Sequence, residues 1–195
     1  MRRWILLFAI VITVLAVDQI SKRIVADSLE LYESVQPIPA LSAVFQITYS
    51  ENTGAAFGFL EQAGDVFLVV AVVVIVAMLF FYPRIPDEST MTRFAIGLII
   101  GGALGNAIDR ITSGAVVDFI HYQIPGVISN VSNLADHAIV FGVLIIFVDS
   151  WRSDRRKQCE EAAAQTAQAE SAESNDQETA DVPALERESS GESSP

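Results

Sequence analysis

Four apolar stretches separated by polar segments alternate along the chain. They run over residues 4–17, 66–82, 94–108 and 134–148. None alone reaches the ~20 residues that cross a ~30 Å hydrocarbon core. Extended into their less apolar flanks, they predict membrane spans at about residues 4–25, 64–83, 92–111 and 132–151. The first stretch also has the length of a signal peptide, but no small-residue cleavage site follows it, and we interpret it as an uncleaved span.

Two segments between the spans favour strands instead of helices. Residues 44–50 (VFQITYS) alternate apolar and polar positions, and residues 115–122 (AVVDFIHY) are rich in β-formers. We therefore expect a small β-rich subdomain. Residues 51–60 combine an Asn-Thr-Gly turn with Phe57 and Phe59, which favours a segment that re-enters the membrane interface. An ordinary hairpin turn explains the same composition.

Lysine and arginine are distributed unequally between the two sides of the predicted bundle. Eight of these bases lie beside the N-terminus, between spans 2 and 3, and after span 4, whereas the other side has only Lys22, Arg23 and Arg110. By the positive-inside rule, both termini are cytoplasmic and the loops at 27–65 and 111–131 are extracytoplasmic.

The chain combines 51% hydrophobic residues with a net charge of -12, an unusual pairing for one soluble domain. The acidity is concentrated in residues 158–195, which hold ten acids and one base and few large apolar residues. Such a composition is typical of disorder, although a nascent helix around 160–170 is an alternative. We predict a membrane domain over 1–157, followed by an acidic, disordered cytoplasmic tail over 158–195, with no nucleic-acid partner.

The predicted fold class is an all-α membrane protein: a four-transmembrane-helix bundle with a small extracytoplasmic β-rich subdomain and a disordered C-terminal tail. A single cysteine, Cys159, excludes an internal disulfide. The two histidines, His121 and His137, do not form a cluster with metal-ligand spacing, and either fits an ordinary position at the membrane interface. We therefore expect neither a metal nor another cofactor.

Polar residues lie within the same end of three predicted spans. Counted back from Trp151, span 4 contains Asp136 four residues inside its end, roughly 6 Å below the hydrocarbon edge at ~1.5 Å per residue. The equivalent ends of spans 1 and 3 contain five more polar residues: Asp18, Lys22, Asn106, Asp109 and Arg110. Because ionisable groups are costly inside a membrane, this convergence indicates a functional site.

Asp118 and Asp136 are the candidate reactive pair, since both carboxylates lie among apolar neighbours at the two ends of one loop. Two carboxylates brought together in a low dielectric share a proton, so that one activates water and the other donates to a carbonyl. The alternative for Asp136 is a structural role in the first turn of a helix capped by Ser132 or Asn133. For Asp118, the alternative is a solvated loop position.

Ion pairs are the expected role of the other charged residues. Asp18 and Lys22 are four positions apart and lie on one helical face, while Asp109 and Arg110 are adjacent in sequence. Such pairs lower the cost of inserting charge into a membrane. A small membrane transporter or proton-relay protein would also use acids of this kind, but it needs polar residues through the full depth of the bundle. A third possibility is a membrane scaffold.

Five motifs in this order resemble the lipoprotein signal peptidases, the bacterial signal peptidase II family of aspartic proteases. They are VDQISK (17–22), ENTGAAFG (51–58), GGALGNAIDR (101–110), GAVVDFI (114–120) and SNLADHAI (132–139). The resemblance covers about residues 1–155. It implies that Asp118 and Asp136 are the catalytic pair and that Asp18 and Lys22 are a structural polar pair. The substrate-binding residues that it implies are Asn52, Gly54, Asn106, Arg110 and Asn133.

The resemblance also implies the reaction and its setting. Members of the family cleave the signal peptide of a prolipoprotein immediately before a diacylglyceryl-modified cysteine, and globomycin-type cyclic peptides inhibit them. Membrane lipids are the other partners, and a monomer is expected. The implied location is the bacterial inner membrane, with the active site at the outer leaflet. We also expect the segment around Phe57 and Phe59 to close over bound substrate as a lid.

Overall fold

The structure is a computed structural model of the chain, and it describes residues 2–54, 63–86, 89–124 and 126–180. Its four long helices are α1 (Arg2–Ser28), α2 (Ala63–Phe81), α3 (Thr90–Ser113) and α4 (Leu134–Ala180). Four helical segments are long and apolar enough to cross a membrane: Arg2–Ser28, Gly64–Arg84, Thr90–Ser113 and Leu134–Ala162. The second consists of most of α2 and the 3₁₀ helix that follows it. The four spans expected from the hydropathy pattern are therefore confirmed as apolar helices of sufficient length.

The loops between the helices form a four-stranded antiparallel sheet. Its strands are β1 (Ser34–Val35), β2 (Phe45–Asn52), β3 (Val116–Ile124) and β4 (Ile128–Ser132), in the spatial order β1-β2-β3-β4. Short 3₁₀ helices at Pro39–Leu41 and Tyr82–Arg84 complete the described elements. The two strands expected from the sequence are confirmed as β2 and β3, and they pair with each other.

The register of the sheet positions two polar residues near the start of α4. Ser50 lies opposite Asp118 and Asn52 lies opposite Val116, after a shift in register between Ile47 and Ser50. Strand β4 ends at Ser132, and α4 begins two residues later. The ends of β2, β3 and β4 therefore lie close to the first turn of α4.

Helix α3 is the central helix of the bundle, since 67% of its most apolar window is buried. Glycines at a spacing of four allow α1 to approach it closely, and they are Gly97, Gly101 and Gly105. A Cβ built on Gly97 would lie 2.7 Å from Ile10, and one on Gly105 would lie 2.5 Å from the Asp18 carboxylate. Such small-residue faces are typical of membrane helices that pack by van der Waals contact.

The C-terminal part of the chain differs from the expected disorder. Helix α4 continues to Ala180, so residues 158–180 are helical. The alanine, glutamate and glutamine that make this segment poor in apolar surface are also among the best helix formers, which explains the difference. The chain divides into two units at residues 1–149 and 150–195. The lid predicted around Phe57 and Phe59 lies outside the described residues, and so does the part of the predicted re-entrant segment that follows Gly54.

Candidate active site

Asn133 caps the N-terminus of α4 and is fully buried. Its side-chain Oδ1 accepts a hydrogen bond from the backbone N–H of Asp136 at 2.9 Å, and its own backbone N–H donates to the Asp136 carboxylate at 3.4 Å. This reciprocal arrangement is a capping box, which satisfies two backbone donors at a helix start. The expectation that Ser132 or Asn133 caps this helix is confirmed for Asn133, and Asp136 therefore has a structural role in the first turn.

The same Asn133 side chain reaches the other candidate carboxylate. Its Nδ2 donates to Oδ1 of Asp118 at 2.6 Å. Because Asp118 lies on β3 and Asp136 lies on α4, one amide connects the two elements that carry the carboxylates. The structure thus brings Asp118 and Asp136 to the same site, with Asn133 hydrogen-bonded to both.

Asn52 holds the second oxygen of Asp118. Its Nδ2 donates to Asp118 Oδ2 at 2.9 Å, while its Oδ1 accepts from the backbone N–H of Gly54 at 2.9 Å. The second bond orients the amide so that its NH₂ group faces the carboxylate. Gly54 has a φ of +82°, and a Cβ there would lie 3.0 Å from Phe67, so both the backbone conformation and the available space require glycine.

Asn106 holds Asp136 in a similar way. Its Nδ2 donates to Oδ1 of Asp136 at 2.7 Å, and its Oδ1 accepts from the Lys22 ammonium at 3.0 Å and from Asn133 at 3.1 Å. Lys22 can only donate, so its bond determines which end of the Asn106 amide faces Asp136. The carboxylate pair is therefore surrounded by three amide side chains whose orientations are fixed by further hydrogen bonds.

A buried ion cluster lies behind these amides. Lys22 contacts Asp18 at 2.8 Å and Asp109 at 2.7 Å, and all three side chains are almost completely buried. Asp18 also accepts from the backbone N–H of Ala135 at 2.9 Å, which connects α1 to the start of α4. The predicted Asp18–Lys22 pair is thus present, and it includes a third partner from α3.

The predicted ion pair between Asp109 and Arg110 is wrong. Consecutive residues of a helix point about 100° apart, so Asp109 faces Lys22 whereas Arg110 faces a cavity. Arg110 donates to the backbone oxygen of Asn106 at 3.2 Å, and its guanidinium lies 5.4 Å from the ring centre of Phe67. Its buried Nε has no hydrogen-bond partner among the described residues, so a donor remains available at this position.

The cavity beside the carboxylates has a volume of about 620 Å³. Its polar end is formed by Asn52, Asn106, Arg110 and Asp136. Its longer apolar wall comes from α2, α3 and α4, and includes Phe67, Val70, Val74, Ile99, Ala103 and Ile139. A molecule with a polar head and hydrocarbon chains would match this cavity, which is polar at one end and apolar along its wall.

The pKa of Asp118 is raised to about 6. Burial is the largest cause and the nearby charge of Asp136 adds to it, whereas hydrogen bonds from Asn52 and Asn133 and the charge of Lys22 oppose the shift. Asp118 is only 2% exposed, which accounts for the dominant contribution of burial. A carboxyl group with such a pKa is half-protonated at about pH 6, so Asp118 can still donate a proton there.

Two residues of the site were not anticipated from the sequence. Gln19 donates to Asp109 at 2.8 Å and reinforces the ion cluster, and Phe67 packs beside Arg110 in the cavity wall. A glutamine inside an apolar span is a recognisable signal, because polar residues in membrane segments are rare. Phe67 has no comparable signal, since aromatic residues are common in apolar helices.

The histidines form hydrogen bonds within the protein. His121 contacts Gln46, Thr48 and Ser129 across the sheet, and His137 contacts Asn133 and Tyr122. Among the described residues, no group of three His, Cys, Asp or Glu side chains has a geometry that could hold a metal ion.

A bundle of four apolar spans, with a small antiparallel sheet and a polar site at one end, defines a multi-pass membrane protein. The chain belongs to the signal peptidase II family, because the family model described as Signal peptidase (SPase) II matches residues 10–152. The resemblance found in the sequence motifs is thereby confirmed.

Individual relatives agree with this family. A lipoprotein signal peptidase of Moorella thermoacetica is 43% identical over 133 residues, which cover 68% of this chain and 84% of the relative. One from Halothermothrix orenii is 39% identical over 150 residues, covering 77% and 98%. A solved bacterial membrane enzyme, determined in meso at 2.3 Å resolution, superposes with a TM-score of 0.67 at 31% identity and covers 76% of this chain and 88% of the other.

Proposed function

We propose that the chain is a membrane aspartic endopeptidase that removes signal peptides from prolipoproteins, cleaving immediately before a diacylglyceryl-modified cysteine. The related lipoprotein signal peptidases support the substrate class. The observation that carries the aspartic mechanism is that one buried residue, Asn133, donates to both carboxylates: its side-chain Nδ2 to Asp118 and its backbone N–H to Asp136. A pair of carboxylates in this environment is suited to holding one shared proton.

In the proposed reaction, Asp118 begins protonated and Asp136 begins ionised. The water oxygen attacks the scissile carbonyl carbon while Asp136 takes a proton from that water. Asp118 gives its proton to the carbonyl oxygen. The tetrahedral intermediate then collapses: the leaving amine takes the proton from Asp136, and the new carboxyl group returns one to Asp118. The cycle thus restores the single proton of the pair. No metal or other cofactor takes part.

The cavity supports a substrate with a polar junction and hydrocarbon chains. Its apolar wall fits lipid chains or an apolar signal peptide, and its polar end adjoins Asp136. We assign Arg110 to substrate binding because its unpaired Nε can donate to a substrate oxygen. Asn52, Asn106 and Asn133 have the shared role of orienting the carboxylates and lining the site. Gly54 holds Asn52 in place through its N–H group.

The proposed setting is the bacterial inner membrane, with both termini cytoplasmic and the site at the outer leaflet. The unequal distribution of lysine and arginine supports this orientation. A site roughly 6 Å inside the hydrocarbon edge is at a suitable depth for a lipid-modified cysteine. We take residues 1–157 as the peptidase domain and 158–195 as an accessory tail, and the working unit as a monomer. Globomycin-type inhibitors are expected to compete with substrate for the cavity.

The test is cleavage of a synthetic diacylglyceryl prolipopeptide by purified protein in detergent–lipid micelles. Asp118→Asn and Asp136→Asn should each abolish turnover, because an amide cannot exchange the required proton. Asp27→Asn is the matched control, since Asp27 is exposed and its one ion-pair partner within the described part of the chain is Arg23, at 3.0 Å. The turnover of this variant should equal that of the wild type. EDTA should leave activity intact. Wild-type turnover in either site variant, with the fold retained, would refute the assignment.

A further inference from the structure

A second connection between β3 and α4 lies one helical turn beyond Asn133. His137 Nδ1 contacts the backbone oxygen of Asn133 at 2.6 Å, and His137 Nε2 contacts the Tyr122 hydroxyl at 3.1 Å. The two rings also lie against each other, with centroids 5.8 Å apart. A chain of hydrogen bonds thus runs from a side chain of the sheet, through an imidazole, to the capping residue of α4.

The chemistry of the partners fixes the direction of these bonds. A backbone carbonyl can only accept, so Nδ1 of His137 must carry a proton. In the neutral ring, Nε2 then has a free lone pair, and the Tyr122 hydroxyl donates to it. The arrangement is satisfied by one neutral tautomer, in which each group has the partner that it requires.

The position of this connection gives it mechanical importance. Strand β4 ends at Ser132 and α4 begins at Leu134, so Asn133 alone joins them. A one-residue junction allows the helix to pivot relative to the sheet, and such a pivot would move Asp136 away from Asp118. The Tyr122–His137 contact crosses this junction and opposes the pivot.

Two separated attachment points hold β3 against α4. The first is the bond from Asn133 to Asp118, and the second is the contact between Tyr122 and His137. Asp118 and Tyr122 are four residues apart on one face of the strand, or about 13 Å at ~3.3 Å per residue. One attachment point fixes a position, whereas two also fix the angle between the strand and the helix.

We propose that Tyr122 and His137 form a clamp that positions the two carboxylates for catalysis. Neither residue reacts with substrate, and both are positioning residues. The inference rests on the proposed function, because it assigns the clamp to the Asp118–Asp136 pair. Since Tyr122 is 44% exposed and neither Tyr122 nor His137 lines the cavity beside the carboxylates, the clamp should affect turnover more than stability or substrate affinity.

The experiment measures kcat and KM with a fluorogenic diacylglyceryl prolipopeptide, together with the thermal unfolding of each variant. Tyr122→Phe removes only the hydroxyl, and His137→Ala removes both bonds of the imidazole. Each should lower kcat about tenfold, because a displacement of ~1 Å at reacting groups costs up to ~100-fold. KM should change less than about twofold. The double variant should be no slower than His137→Ala, because the two residues act as one unit.

Two further variants separate the clamp from general effects. His137→Asn keeps a donor near the Asn133 oxygen but is too short to reach Tyr122, and it should therefore match Tyr122→Phe. Tyr49→Phe is the matched control and should retain wild-type kcat, since among the residues that the structure describes the Tyr49 hydroxyl bonds to Glu51 of the same strand alone.

The outcomes distinguish the clamp from the proposed function. If Asp118→Asn is inactive while Tyr122→Phe and His137→Asn keep wild-type kcat, the clamp is refuted and the carboxylate mechanism stands. Loss of kcat in proportion to loss of the folded fraction would also refute it, because the role would then be structural. If Asp118→Asn itself remains active, the proposed function fails before the clamp is considered.

Discussion

The hydrogen bond from Asn52 to Asp118 makes the pH dependence of the enzyme a quantitative test. In the proposed mechanism the active form holds a proton on Asp118, whose pKa is raised to about 6, chiefly by burial. Activity should therefore decline as the pH rises through this value, because Asp118 then loses its proton. The basic limb of kcat/KM reports this ionisation in the free enzyme.

Asn52→Ala should move that limb to higher pH. The Asn52 bond, 2.9 Å long, stabilises ionised Asp118 and so lowers its pKa. A hydrogen bond to a charged group contributes about 1.5 kcal/mol, and 1.36 kcal/mol corresponds to a tenfold change in the ionisation constant. Removing this donor should therefore shift the limb upward by about one pH unit.

The pH at the inflection of the basic limb reports the pKa change in Asn52→Ala separately from other consequences of the substitution. Asn52→Ala also removes the acceptor of the Gly54 N–H group, which lowers the height of the profile but does not set its inflection. Prolipopeptide cleavage across about pH 4.5 to 9 gives both quantities. Asn130→Ala, at an exposed position of the same sheet, is the control and should leave the inflection unchanged. An unchanged or lower inflection in Asn52→Ala would refute the reasoning.

Two substitutions test the packing behind the site by thermal unfolding in detergent. Lys22→Met leaves Asp18 and Asp109 buried without their cation and should lower the free energy of unfolding by about 3–5 kcal/mol. Arg23→Met removes one partner of an exposed pair and should leave it almost unchanged. Equal melting temperatures in the two variants would contradict this. Gly105→Ala places a methyl group 2.5 Å from the Asp18 carboxylate and should cost about 1–3 kcal/mol. A wild-type melting temperature would show that the helices separate easily there.

Local patterns in the sequence were sufficient to predict the helices, two of the strands and one contact of the candidate site. Apolar stretches and alternating positions predicted the spans and the strands β2 and β3. Capping chemistry, which depends on residues three apart, predicted that Ser132 or Asn133 caps the start of α4, and the structure identifies Asn133. These features are local, because each depends on neighbours within one or two turns of the chain.

Contacts between elements were beyond those patterns. Asn133 also bonds to Asp118 because β3 lies beside α4. The pattern of apolar and polar residues within each element does not predict that placement. Asp109 pairs with Lys22 of another helix. Sequence adjacency had instead suggested Arg110 as the partner of Asp109. Apolar surroundings made Asp118 and Asp136 candidates, the family motifs implied the roles of the site residues, and the structure supplies the hydrogen bonds that connect them.

The three amides around the carboxylates have a consequence for how the site responds to its surroundings. Asn52, Asn106 and Asn133 have no proton that is gained or lost between acidic and alkaline conditions. These amides therefore present the same donors throughout the range in which Asp118 titrates. Histidine or glutamate in their place would change its own hydrogen bonds over that range. A change in the medium therefore alters the proton on Asp118 without altering the amide donors that hold it.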